Sequence, residues 1–124
     1  MKVLVVDDDA AMRKMLGKML TLAGHEAVEV PPGAEALTAV GAADYDVLLT
    51  DVIMPEVDGV ELVRAARKGN PACSIIAISG GSNRLPASVG LKLTEAFGAD
   101  AVLYKPFTQA DLLKALDGLG RGSR

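Results

Sequence analysis

Five short runs rich in valine, isoleucine and leucine recur along the chain. Their apolar residues mostly occupy successive positions instead of alternating with polar ones, which is typical of parallel strands covered on both faces. The pattern predicts strands over residues 2–6, 26–30, 46–50, 74–79 and 101–104.

Segments with helical periodicity separate these runs. They predict helices over residues 10–23, 33–40, 59–68, 86–97 and 108–119. Gly24, Gly69 and Gly98 follow three of these helices and are predicted as C-terminal caps. Strict alternation of strands and helices implies right-handed crossovers and one parallel sheet with helices on both faces. For five strands, the order 2-1-3-4-5 is a common solution.

The first predicted helix has two faces. Its methionine and leucine residues fall on one side and are expected to pack in the core. Arg13, Lys14 and Lys18 are predicted to form a solvated face of the same helix.

Length and composition limit the class of protein. The 124 residues suit one compact domain, predicted over residues 1–120 with a frayed tail over 121–124. A net charge of −3 argues against a general nucleic-acid surface. No apolar run approaches the roughly 20 residues of a membrane span, and no signal peptide is visible. We therefore expect a cytoplasmic protein without direct membrane or nucleic-acid contact, in which the single cysteine, Cys73, is a buried thiol.

Polar residues follow four of the predicted strands. The first strand ends in Asp7, Asp8 and Asp9, the third in Asp51, the fourth in Ser79 and the fifth in Lys105. These strands are neighbours in the predicted order, and ligands of such folds bind outside the carboxyl ends of the strands. We therefore expect these side chains to meet in one crevice.

The residue types in this crevice favour phosphoryl chemistry. Asp9 is expected to cap the first helix, but capping does not account for Asp7 and Asp8. Clustered carboxylates stay ionised together only beside a cation, and hard oxygen ligands suit Mg²⁺ or Mn²⁺. One carboxylate can then attack phosphorus, while a lysine and a hydroxyl hold the other phosphoryl oxygens.

Four segments together carry a resemblance that covers nearly the whole chain. They are "VVDDD", "LLTDVIMPEVDG", "IIAISG" and "LYKPF". With them the chain resembles the receiver domain of two-component response regulators of the chemotaxis-regulator kind. The resemblance implies an α/β fold, the flavodoxin-like (βα)5 three-layer sandwich with a parallel five-stranded sheet.

The resemblance also implies roles for individual residues. Asp51 matches the phosphoacceptor, and Lys105 and Ser79 complete its catalytic set. The Mg²⁺ ligands would be Asp8 directly, Asp7 mainly through water, Asp51, and the backbone carbonyl of Ile53, with Mn²⁺ as a substitute. Such a receiver is a signalling module, not a separate enzyme, and it catalyses its own phosphorylation and dephosphorylation.

Conformational switching is implied for the same region. The switch residues would be Ser79 and the strand 5 positions Val102 and Tyr104. Val102 stands where the family often has an aromatic residue, so the resemblance leaves the aromatic relay unassigned. The peptide bond before Pro106 is expected to be cis. The segment "GGSNRLPASVG", residues 80–90, is longer than in chemotaxis-type receivers and is expected to be a mobile loop that alters access to Asp51 or partner choice.

The implied partners are a histidine kinase or phosphotransfer protein as donor and an output protein as reader. The reader would bind a face built from the fourth predicted helix, the fifth strand and the fifth predicted helix. The domain is expected to stand alone, although a piece of a longer protein is the open alternative.

Other functions are compatible with parts of the pattern. Asp7 and Asp9 have the spacing of an aspartate-nucleophile phosphatase, but that reading leaves Asp51 unexplained. A phosphorylation-independent scaffold is a further alternative, which the intact set of polar residues disfavours. A flavin-binding module is disfavoured because the acidic loop after strand 1 would repel the cofactor phosphate.

Overall fold

The computed structural model describes residues 1–51, 59–80 and 99–122, which form one parallel sheet and the helices that cover it. The sheet has the order β2-β1-β3-β4-β5, as predicted. Every neighbouring pair is parallel. The strands are β1 (Lys2–Val6), β2 (Glu26–Val30), β3 (Val47–Asp51), β4 (Ser74–Gly80) and β5 (Ala101–Lys105).

Four helices lie in the described ranges. They are α1 (Ala10–Leu22), α2 (Ala34–Gly41), α3 (Gly59–Gly69) and the C-terminal helix (Gln109–Gly122). Their bounds differ from the predicted ones by at most three residues, and the C-terminal helix extends beyond its predicted end at residue 119. The helix predicted over residues 86–97 lies outside the described residues. None of the described helices is long and apolar enough to cross a bilayer.

Two apolar clusters cover the two faces of the sheet. Leu48 of β3 belongs to the cluster that α2 and α3 complete, whereas Val47 and Leu49 belong to the cluster that α1 and the C-terminal helix complete. Both faces of β3 are covered, which accounts for the successive apolar residues Val47, Leu48 and Leu49. The molecule is therefore a helix–sheet–helix sandwich, and Cys73 lies buried in the first cluster as predicted.

The glycines after the helices have different roles. Gly24 follows α1 with a φ of 89°, as expected of a C-terminal cap. Gly69 is instead the last residue of α3 and contacts the backbone of Gly41 at the end of α2. The helix ends at Gly69 as predicted, but Gly69 lacks the positive φ of Gly24, and the close approach of Gly41 explains the glycine. Gly98 lies outside the described residues.

The last residues of three strands face the same edge. Val6 of β1 pairs with Thr50 of β3, so the residues that follow them, Asp7 and Asp51, are brought side by side. Asp51 is itself paired with Ile78 of β4, which makes it the last residue of its strand and not the first one after it. The ladder therefore holds the backbone of Asp51 on a rigid element.

Candidate functional site

Charged side chains converge at the carboxyl edge of the sheet. Nζ of Lys105 lies 3.1 Å from Oδ2 of Asp51 and 3.6 Å from Oδ2 of Asp7. Lys105 ends β5, where it pairs with Gly80 of β4, so the ammonium group reaches across β4 and β3 to β1. Asp7, Asp51 and Lys105 of the predicted set thus lie together, and the Lys105–Pro106 peptide bond is cis as expected.

Asp7 is the most buried acid of the site, with no exposed surface. Its Oδ1 accepts a hydrogen bond of 2.9 Å from the Asp9 amide. Its Oδ2 has no hydrogen-bond partner within the described parts of the chain and faces Lys105. The pKa of Asp7 is raised, chiefly by burial and further by Asp51 and Asp8, while the Asp9 amide and Lys105 lower it in part.

Lys105 is held as a cation by its neighbours. Partial burial lowers its pKa, but the charges of Asp51 and Asp7 raise it by more, so the net pKa lies above its ordinary value. The site therefore contains a fixed positive charge between two carboxylates.

The three consecutive aspartates take three different positions. Asp7 is buried and Asp8 is exposed. Asp9 caps α1, because its Oδ1 accepts hydrogen bonds from the amides of Ala11 at 2.9 Å and Met12 at 3.4 Å. The predicted cap is thus confirmed. The phosphatase alternative requires a free Asp9 carboxyl. The hydrogen bonds to the helix amides occupy this carboxyl, which argues against that alternative.

The acids fit a hard divalent cation. Asp7, Asp8 and Asp51 each offer one carboxylate oxygen, and these oxygens lie within 4.8 Å of one another. Asp7 Oδ2 is a buried carboxylate oxygen that lacks a hydrogen bond in the described structure; Lys105 Nζ faces it at 3.6 Å, and a divalent ion would compensate its charge further. An all-oxygen set with one exposed member suits Mg²⁺, which keeps several waters. Ile53, the fourth predicted ligand, lies outside the described residues.

The predicted switch residues are only partly described. Ser79 lies in β4 and its backbone pairs with Tyr104 of β5, near the same edge. Tyr104 is 45% exposed, whereas Val102, two residues earlier, is half-buried. The loop predicted over residues 80–90 lies outside the described residues from residue 81 onward. Their roles in switching stay predictions.

Sequence reasoning missed one neighbour of the site. Arg13 is predicted on a solvated face, but its Nη1 donates a hydrogen bond of 2.5 Å to the backbone carbonyl of Asp7. The position of Arg13, four residues after the Asp9 cap, places its side chain over the start of the helix but does not indicate which group it contacts.

Comparison with known proteins identifies the family. The family model described as "Response regulator receiver domain" matches residues 3–117. The chain belongs to the response regulator receiver domain family. It is 36% identical to the response regulator receiver protein CpdR of Brucella abortus, over 94% of this chain and 93% of that protein. It is 33% identical to the response regulator MprA of Mycobacterium avium, over all of this chain but 53% of that protein.

Solved receivers have the same fold. The chemotaxis response regulator CheY4 of Vibrio cholerae is 35% identical, with a TM-score of 0.79 over 94% of this chain and 95% of that chain. The CheY-like receiver domain protein of Methanospirillum hungatei is 28% identical, with a TM-score of 0.83 over 98% of this chain and 94% of that chain. The present chain is therefore a receiver domain of two-component response regulators, with the flavodoxin-like fold.

Proposed function

We propose that this receiver accepts a phosphoryl group on Asp51 from the phosphohistidine of a histidine kinase or phosphotransfer protein, in a Mg²⁺-dependent reaction. The main support is the contact of Lys105 Nζ with Asp51 Oδ2 at 3.1 Å inside a group of three carboxylates. This arrangement joins a nucleophile, a cation that binds phosphoryl oxygens, and ligands for a divalent ion at one sheet edge.

The transfer step uses Asp51 as the nucleophile. A carboxylate oxygen of Asp51 forms a bond to phosphorus, the phosphorus–nitrogen bond of the donor breaks, and its electron pair stays on the imidazole nitrogen. Lys105 is placed to hold a phosphoryl oxygen by a charge-assisted hydrogen bond. Removal of the phosphoryl group is the attack of water on phosphorus, with Asp51 as the leaving carboxylate.

Asp7, Asp8 and Asp51 would hold the Mg²⁺ ion, with the Ile53 carbonyl as a further ligand. The ion would offset the negative charges of the carboxylates and of the phosphoryl group. Asp7 contributes a buried oxygen on a fixed backbone, and Asp8 contributes an exposed one on the solvent side. Asp7 would thus be the rigid ligand of the ion, and Asp8 the solvent-accessible one.

The phosphoryl group is proposed to act as a switch. The Ser79 hydroxyl would move toward it, and the equilibrium of the face formed by residues 86–97, β5 and the C-terminal helix would shift. An output protein in the cytoplasm would bind that face, with Val102 and Tyr104 as candidate contacts on β5.

The proposal is tested with phosphoramidate, a small donor that contains a phosphorus–nitrogen bond, in the presence of Mg²⁺. Peptide mass analysis should find one acid-stable, base-labile phosphate on Asp51. Labelling should disappear in Asp51→Asn and on addition of EDTA. Asp44→Asn is the matched control, because Asp44 is an exposed aspartate in the turn before β3, at the opposite end of that strand.

The alternatives give different results in this assay. Wild-type protein that stays unlabelled by phosphoramidate and by a histidine kinase phosphodonor would indicate the phosphorylation-independent scaffold. Continued turnover of phosphate esters by Asp51→Asn would indicate the phosphatase.

A further inference from the structure

The Arg13 guanidinium binds a backbone carbonyl although carboxylates lie nearby. Its guanidinium lies beside the aspartate triplet, yet within the described residues it is paired with no carboxylate and donates to the Asp7 carbonyl. The side chain is only half-exposed, while its backbone amide makes the first hydrogen bond of α1, to the Asp9 carbonyl at 3.0 Å. Arg13 therefore closes a loop across the connection from β1 to α1.

Two costs oppose a cation at this place. Arg13 lies at the end of the first turn of α1, where the helix dipole disfavours positive charge. A positive charge beside a cation site also weakens the binding of that cation by repulsion. The contact with Asp7 is the compensating interaction that the structure offers.

The carbonyl that Arg13 holds belongs to the peptide unit between Asp7 and Asp8. Peptide units are planar, so fixing this carbonyl also fixes the amide nitrogen and Cα of Asp8. The Asp7 carboxylate is anchored by the Asp9 amide and Lys105. The Asp8 carboxyl is exposed, and the side chain recorded beside it is the Asp7 carboxyl, which supplies no amide or ammonium anchor. The orientation of Asp8 therefore depends on the peptide unit that Arg13 holds.

We infer that Arg13 is a positioning residue for the divalent-cation site, which acts by fixing the Asp7–Asp8 peptide so that both carboxylates point at the ion. This inference rests on the proposed function, since it assumes that the acids bind Mg²⁺. It assigns to Arg13 no contact with the ion or with the phosphoryl group.

The test is a calorimetric titration of the full chain with Mg²⁺ alone. Loss of a positive charge strengthens cation binding, whereas loss of the positioning contact weakens it, so the two effects have opposite signs. Arg13→Gln should bind Mg²⁺ about tenfold more weakly than wild type, as is usual when a residue that orients a metal ligand is lost. Lys14→Gln removes the same charge from the adjacent exposed position and should bind as tightly as wild type or more tightly.

Arg13→Met keeps the apolar stem without a donor, and Gln and Met are both good helix formers. Thermal unfolding in EDTA shows whether Arg13→Gln is folded. If it is not, the Mg²⁺ titration of Arg13→Met tests the positioning role of Arg13. Binding by both Arg13 variants at wild-type affinity or tighter would overturn the inference. Failure of the wild type itself to bind Mg²⁺, or undiminished binding in Asp8→Ala, would instead refute the proposed metal site.

Discussion

Nζ of Lys105 lies 3.1 Å from Oδ2 of Asp51, although the two residues are 54 positions apart in the chain. The contact follows from the parallel sheet, because the carboxyl ends of β3 and β5 lie at the same edge with only β4 between them. The same ammonium group lies 3.6 Å from the buried carboxylate of Asp7. In the described structure, Lys105 thus offsets part of the repulsion between two neighbouring acids.

Replacing Lys105 should reduce phosphorylation of Asp51 without weakening Mg²⁺ binding. In Lys105→Ala we expect phosphorylation of Asp51 to fall by about 100-fold, the usual loss when an oxyanion-binding donor is removed. Mg²⁺ should bind at least as tightly, because a competing cation has gone. Phosphoramidate labelling and calorimetry measure the two effects, and Lys114→Ala on the C-terminal helix is the control. Labelling of Lys105→Ala at the wild-type rate would contradict the role assigned to this lysine.

Asp7 should cost the metal-free protein stability at neutral pH. Its pKa is raised in the folded protein from the ordinary 3.8, chiefly by burial, so the folded state binds a proton more tightly than the unfolded chain. Stability therefore falls as pH rises from the unfolded pKa through the folded one, and the full cost is present above the folded pKa.

Asp7→Asn cannot ionise and its carboxamide oxygen can still accept the Asp9 amide. We expect it to raise the free energy of unfolding by roughly 1 kcal/mol at pH 7 in EDTA, the usual scale of gain on relieving a strained functional site. The gain should vanish near pH 3. Urea unfolding at both pH values measures it, with Asp117→Asn on the C-terminal helix as an exposed control. A variant less stable than wild type at pH 7 would show that the Lys105 ion pair outweighs the burial of Asp7.

The sequence predicts the sheet and the convergence of the site because both depend on repeated patterns. Successive apolar residues mark buried parallel strands, and the common edge then brings Asp7, Asp51 and Lys105 together. The capping role of Asp9 is also predictable from the local sequence, because Asp9 directly precedes α1. These features require only the period of the pattern and the position of each strand end.

Other features depend on side-chain and backbone contacts that the periodicity of the sequence does not predict. The Arg13 side chain could equally extend into water, pair with a carboxylate or donate to a carbonyl, and only the packed geometry selects the Asp7 carbonyl. Gly69 looks like a helix cap in the sequence, but the approach of α2 to α3 is what excludes a larger side chain there. The contact of Gly69 joins elements distant in sequence, whereas Arg13 selects among several nearby groups, and the sequence pattern specifies neither outcome.

Mutation of Asp8 should affect Mg²⁺ binding, whereas mutation of Asp9 should affect the free energy of unfolding. Asp8→Ala is expected to abolish Mg²⁺ binding while leaving the stability of the metal-free protein unchanged, because the Asp8 side chain is exposed. Asp9→Ala should cost about 1 kcal/mol of unfolding free energy through loss of the α1 cap, and Asp9→Ser should recover it because serine caps equally well. Urea unfolding in EDTA and Mg²⁺ titration measure the pair. Equal destabilisation by Asp9→Ser and Asp9→Ala would rule out capping as the role of Asp9.

Two helical glycines should differ in their tolerance of alanine. A methyl group on Gly69 would lie 2.7 Å from Cα of Gly41, and neither backbone can yield without moving α2 against α3. Gly69→Ala should therefore lose about 1–3 kcal/mol of unfolding free energy, as overpacked sites do. Gly118 in the C-terminal helix has no described atom within 4 Å of such a methyl group, so Gly118→Ala should gain up to about 1 kcal/mol from helix propensity. Urea unfolding compares the two variants; a gain for Gly69→Ala would mean that the α2–α3 contact is loose enough to accept a side chain.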